Sequence, residues 1–149
     1  MSSTLFFMAV TLVTGALVPF QLAFNAQLGA SAKSPLTAGF IIFAVGAVAF
    51  AAVLAVSRPS MPTVRELTEA PATAWLGGLL AALYILAVVT VIPRIGVGMT
   101  AVLIIAGQLV VALVLEHYGA FNAPQNDLTL AKLAGAGLVV SGVGLVRFG

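Results

Sequence analysis

The sequence contains no cysteine, and only 7% of its 149 residues are charged. Without thiols there can be no disulfide, no thiolate metal site and no cysteine nucleophile, and redox chemistry leaves no mark of a compartment. Histidine occurs once, at His117, and no metal-ligand spacing exists, so neither a metal nor another cofactor is expected. Six basic residues stand singly along the chain and form no nucleic-acid-binding patch. No histidine, acid and nucleophile converge in a motif, so an enzyme is not expected.

What the chain has in quantity is apolar sequence. Hydrophobic residues make up 62% of it, in long runs separated by short polar gaps, where a soluble domain would have roughly a quarter of its residues charged. A hydrocarbon core of about 30 Å is crossed by about 20 apolar residues in a helix. Five stretches meet that length or nearly so: 5–28, 35–57, 72–92, 95–118 and 128–148. They predict an all-α, polytopic membrane protein, a single transmembrane domain with lipid around it. The N-terminal stretch MSSTLFFMAV lacks the positive start of a secretory signal, and its apolar run exceeds a signal core, so a retained first helix is expected.

The gaps carry local instructions. Ser34 followed by Pro35 reads as an N-cap and a proline at the first helical position, where a missing N–H costs nothing. Pro59 and Pro93 are expected to end the second and third spans. Thr63 and Glu66 have capping-box spacing, which predicts a short surface helix within 62–69. Segment 119–127, with Pro124 and two asparagines, reads as a loop in water. Small residues four apart are expected to let helix backbones approach closely: Gly77 with Ala81, Gly78 with Ala82, Ala47 with Ala51 and Ala55, and Gly137 with Ser141.

Lysine and arginine in short loops set orientation in a membrane. Arg58, Arg65 and Lys132 would lie on one side of a five-span chain, and Lys33, Arg94 and Arg147 on the other. The tie favours neither orientation, as insertion in both orientations requires. Two oppositely inserted copies of five helices would make a ten-helix inverted repeat, an arrangement found in many secondary transporters.

Polar residues inside the spans supply the candidate site. Thr11, Thr14, Val18, Gln21 and Asn25 follow intervals of three and four and form one stripe. Gln21 lies about 7 Å beyond the midpoint of the first span and Asn25 about 13 Å beyond it. Pro19 removes the hydrogen bond to the carbonyl of Gly15 and is expected to kink the helix beside that stripe, the kind of irregularity that suits a cavity lining. Gln108 falls about 2 Å from the midpoint of the fourth span. Glu116, rotated from it by about 80° and displaced by about 12 Å, reaches the membrane border, where an acid could bind a cation or carry a proton. Tyr84 offers a hydroxyl inside the third span, whereas Trp75 and Tyr118 suit the interfaces. Asn25 and Glu116 fall on opposite membrane sides within one copy, but an antiparallel partner would bring its own acid to the side of Asn25.

Gln21, Asn25, Gln27, Leu28 and Gly29, then Ser34 and Pro35, resemble in order and spacing the YdcZ-type branch of the drug/metabolite transporter superfamily. The same holds for Trp75, Leu76, Gly77 and Gly78, for Pro93, Arg94, Ile95 and Gly96, and for Gly107 and Gln108 leading to Glu116, His117, Tyr118 and Gly119. The resemblance implies a five-helix protein of the bacterial inner membrane, half of a ten-helix transporter, and an exporter by analogy. Glu116 stands where the family leads one to expect aspartate. The four-helix multidrug branch carries an acid in its first helix, where this chain has Gln21. The combined expectation is a secondary transporter of small organic solutes, an antiparallel dual-topology homodimer. In it Gln21, Asn25, Gln108 and Tyr84 bind the solute, Glu116 gates or couples, and Pro19 kinks the first helix. A small dual-topology channel and a non-transporting membrane scaffold or accessory subunit are the other readings.

Overall fold

The structure is a computed structural model and describes residues 3–149. Met1 and Ser2, the start of the uncharged N-terminal stretch, lie outside the described residues. The described residues are helical, with no strand among them: α1 (Ser3–Ala32), α2 (Pro35–Ser57), α3 (Val64–Thr68), α4 (Leu76–Tyr118) and α5 (Leu130–Phe148). Short 3-10 turns at Ala72–Trp75 and Ala120–Asn122 join them. Four of these stretches, the third of them taken with the turn that leads into it, are long and apolar enough to cross a membrane.

The local instructions operate as their chemistry predicts. The Ser34 hydroxyl accepts from the Thr37 N–H at 3.4 Å, with Pro35 opening α2. That helix ends before Pro59, on Arg58 in the left-handed region at φ 45. Thr63 and Glu66 close both halves of a capping box around α3: the Glu66 carboxylate accepts from the Thr63 N–H at 2.7 Å, and the Thr63 hydroxyl accepts from the Glu66 N–H at 3.3 Å. Thr129 caps α5 by accepting from the Lys132 N–H, so the helix begins at Leu130, two residues after the expected start at Leu128.

Two expectations are corrected. Pro93 does not end a span: the helix runs through it, and the interruption falls at Gly96, with φ 80 and ψ 165. A proline deletes one hydrogen bond and leaves its own φ helical, whereas the dihedrals at Gly96 belong to a region open essentially to glycine. The 43 residues of α4 would extend about 65 Å as one straight helix. The break at Gly96 leaves pieces of about 30 Å on either side, each the length of one crossing. The second correction concerns small residues. A Cβ added at Gly77, Gly78 or Gly137 would meet nothing within 4 Å. Within this chain the close approach lies at Gly29, whose Cβ would stand 2.5 Å from Val89 Cγ1.

The chain divides into two compact units, one comprising the chain up to Pro19 together with Ile95–Gly149, the other Phe20–Arg94. In the second, Ala38, Ile85 and Val89 form a buried cluster, with Leu28, Ala32, Ile42 and Tyr84 packed on it. This cluster joins the end of α1, the start of α2 and the first half of α4. Beyond it the helices carry exposed apolar side chains, from Phe6 and Leu12 on α1 to Val56 on α2 and Leu138 on α5. Such surfaces are stable in hydrocarbon rather than in water.

Candidate functional site

The polar stripe of α1 is built of two kinds of residue. Thr11 and Thr14 donate their hydroxyls back to the carbonyls of Phe7 and Val10, at 2.8 and 2.9 Å. They satisfy themselves inside the helix, so their position demands neither water nor a partner. Gln21 and Asn25 differ from them and from each other. Gln21 is exposed, with apolar neighbours Phe20 and Phe24 beside it. Asn25 is only 8% exposed, and its Nδ2 is buried without a hydrogen-bond partner. An unpaired buried amide costs roughly 1 to 3 kcal/mol, so this donor is available to whatever acceptor reaches it.

Tyr84 belongs to the same unit as Gln21 and Asn25, half-buried at the edge of the Ala38, Ile85 and Val89 cluster. Thr90, two turns along α4, donates its hydroxyl to Leu86 and is self-satisfied. Gly29 explains why α1 can lie so near α4: any larger residue would press on Val89. Three of the predicted binding residues therefore share the Phe20–Arg94 unit, while Gln108 and Glu116 belong to the other. Helix α1 continues through Pro19, which lies inside it.

In the other unit, Gln108 is exposed on the second half of α4. Two turns later, Glu116 stands in a folded helix end. Its backbone carbonyl accepts from the N–H groups of Gly119 and Asn126, at 3.2 and 3.0 Å. Gln125 donates its side-chain amide to the carbonyl of His117 at 3.2 Å. Gly119, Phe121 and Asn122 all have positive φ, which turns the chain back over the end of α4. The loop expected at 119–127 is thus an ordered cap.

Beside that cap stands a residue not expected from sequence. Lys132, in the first turn of α5, holds its ammonium 4.0 Å from the Glu116 carboxylate and donates to the carbonyl of Asp127 at 3.0 Å. Glu116 accordingly has a counter-ion from the next helix, and both side chains are about a third exposed or more. In water such a pair would add little to stability. The available signal was an acid in the last turn of one span and a base in the first turn of the next, flanking one loop. The rings of His117 and Tyr118 meet edge-to-face, with centroids 5.0 Å apart, and the His117 Nδ1 is buried without a partner. No group of three metal-ligating side chains occurs among the described residues.

Outside the spans, hydrogen bonds from the Thr63 backbone N–H and then from its hydroxyl hold the Glu66 carboxyl below the usual carboxylate range. This acid serves the connector helix and stands apart from the candidate site.

Comparison with known proteins agrees with the architecture. The family model described as "Putative inner membrane exporter, YdcZ" matches residues 6–145. No curated protein and no solved structure matches the chain. Nearly the whole chain is covered. The chain belongs to the YdcZ family, the one described as "Putative inner membrane exporter".

Proposed function

We propose that the protein is a secondary transporter that exports small organic solutes and works as an antiparallel homodimer of oppositely inserted five-span copies. Family membership supports membrane transport. The break at Gly96, which divides α4 into two membrane-length pieces, supports the five-span count. The observation that carries the reading is the exposure of Gln21 and Gln108 within long apolar helices. Left in lipid, each amide would lack hydrogen-bond partners at a cost of about 2 kcal/mol or more. A second copy enclosing a wet cavity removes that cost.

In this proposal Gln21, Asn25 and Gln108 hydrogen-bond the solute, with Tyr84 adding a hydroxyl. Pro19 bends α1 beside them, and Glu116 with Lys132 gates the border or couples transport to a cation. Neutral amides recognise by hydrogen bonding rather than by charge, which suits polar or zwitterionic cargo. The tied count of three lysines and arginines per side supports insertion in both orientations.

The test is flux in proteoliposomes carrying the native protein or Gln108→Leu, challenged with a panel of amino acids, amines and amides. A carrier gives saturable, gradient-driven counterflow that the substitution abolishes. Currents far above carrier rates would make the protein a channel. Flux equal to that of empty liposomes across the panel would favour the scaffold reading.

A further inference from the structure

Connector 58–71 joins α2 to the turn that leads into α4, and it lies wholly within the unit Phe20–Arg94. The helices it joins are both long and apolar enough to cross a membrane. A segment between two consecutive crossings starts and ends at one face of the bilayer, so this one has the lipid interface within reach.

The order of the connector comes from its own residues. The capping box of Thr63 and Glu66 starts α3 without help from a neighbouring helix. At about 100° per residue, Leu67, Val64 and Thr68 fall within one arc of about 100°. Arg65, Glu69 and Glu66 fall within a second arc of about the same width, nearly opposite the first. Short as it is, α3 therefore has an apolar and a charged face.

The two faces differ in what they need. On the charged face, Arg65 Nε donates to the Glu69 carboxylate at 2.8 Å, and the Glu66 carboxylate accepts from the N–H and hydroxyl of Thr63. On the other face, the Thr68 hydroxyl donates to the carbonyl of Arg65 at 2.9 Å and makes no further polar demand. Val64 and Leu67 beside it are uncovered, 78% and 41% exposed. Trp75, also exposed, stands at the entry to α4, and indole side chains suit the level of lipid headgroups. Arg58, at the end of α2, forms no ion pair among the described residues, which leaves its guanidinium for a phosphate.

We propose that α3 is an interfacial anchor, lying in the plane of the membrane with Val64 and Leu67 at the boundary between phospholipid headgroups and acyl chains. Its charged face turns to water. The occupant of the apolar face is lipid because the flanking helices bring the connector to the bilayer surface, and because Arg58 complements the phosphate found there. An apolar face seated in this way fixes the height at which α2 ends and α4 begins. The proposal goes beyond the transport reading and depends neither on cargo nor on the pairing of copies.

The experiment is depth measurement by spin labelling in the otherwise cysteine-free chain, reconstituted in nanodiscs of phosphatidylethanolamine and phosphatidylglycerol. Val64→Cys, Leu67→Cys, Arg65→Cys and Glu69→Cys each carry one nitroxide. Collisions with oxygen, which concentrates among acyl chains, are compared with collisions with a nickel chelate, which stays in water. The oxygen-to-nickel ratio should be severalfold higher at 64 and 67 than at 65 and 69. Loss of the exposed Arg65 and Glu69 pair costs α3 little, and one label on each face suffices if a variant does not fold. Equal ratios on the two faces would place the connector in water and overturn the proposal. Few collisions with either reagent at 64 and 67 would mean that protein, a second copy included, covers that face, and would overturn it equally. The readout is depth and not flux, so failure here is distinguishable from failure of the transport reading.

Discussion

Gln108 and Gly29 represent two demands that a membrane helix makes on single residues, one chemical and one steric. Gln108 is exposed on its own protomer, so Gln108→Leu should leave thermal stability in detergent within about 0.5 kcal/mol of native. Counterflow should nevertheless fall at least roughly tenfold if the amide contacts solute, since one lost hydrogen bond of 1.4 kcal/mol already gives that factor. A variant that unfolds at the native temperature and transports at the native rate would remove Gln108 from the site. Gly29 should behave in the opposite way. A methyl group there would collide with Val89, so Gly29→Ala should cost about 1 to 3 kcal/mol. Gly77→Ala fills open space on a helix and should gain up to about 1 kcal/mol from helix propensity. Thermal unfolding of the two variants side by side checks this difference. The sequence shows both glycines but not which one touches a neighbour, because contact between helices depends on rotations that no local pattern records. The Glu116 and Lys132 pair was hidden for the same reason: the two residues are distant in sequence and meet only when the loop folds back.

Elements with local causes were legible from sequence. Ser34 with Pro35, and Thr63 with Glu66, act within one turn of helix, so their spacing alone predicts the caps that form. The capping box also yields a pH prediction. Glu66 titrates below the usual range because folding gives its carboxylate the Thr63 N–H and hydroxyl as donors. A group whose pKa is lower in the folded state adds stability above its unfolded pKa and loses it as the pH falls through the folded value. Amide protection over residues 64–68 should accordingly decline as the pH falls into the acidic range where Glu66 protonates. In Thr63→Ala, with the hydroxyl donor gone, carboxyl NMR should find the Glu66 pKa moved back toward the ordinary value. An unchanged titration would deny the hydroxyl any part in the shift. Helix α4 was less legible. Pro93 is the stronger breaker by residue type, yet the helix passes through it and yields at Gly96, three residues later. Propensity ranks residues one at a time, whereas the site of a break depends on which neighbouring backbone can adopt the required dihedrals.

At the scale of the whole molecule, composition alone was enough to identify a membrane protein, because a chain with 62% hydrophobic and 7% charged residues cannot cover itself with polar surface. The pairing of copies could not be read the same way, since a charge tie is consistent with dual insertion but does not by itself produce it. If orientation rests on that tie, a small bias should break it. Ser60→Lys together with Met61→Lys, in the exposed connector before α3, should drive most copies to place that connector in the cytoplasm. Co-expression with a variant biased the other way, by added lysines beside Arg94, should restore the flux that the first variant alone has lost. Restoration by the oppositely biased variant but not by a second copy of the same bias would tie transport to antiparallel pairing.

The most direct measurement is two-sided labelling of single cysteines in intact membranes, with Ser60→Cys before α3 and Pro124→Cys in the cap after α4, both exposed and free of native cysteine background. A membrane-impermeant maleimide is applied from outside, and then again after permeabilisation. Oppositely inserted copies predict that each site labels in part from outside and completes only after permeabilisation, with similar fractions at the two positions. Labelling of both sites from one side alone would contradict the antiparallel homodimer and leave the cavity between two copies without a partner of this chain.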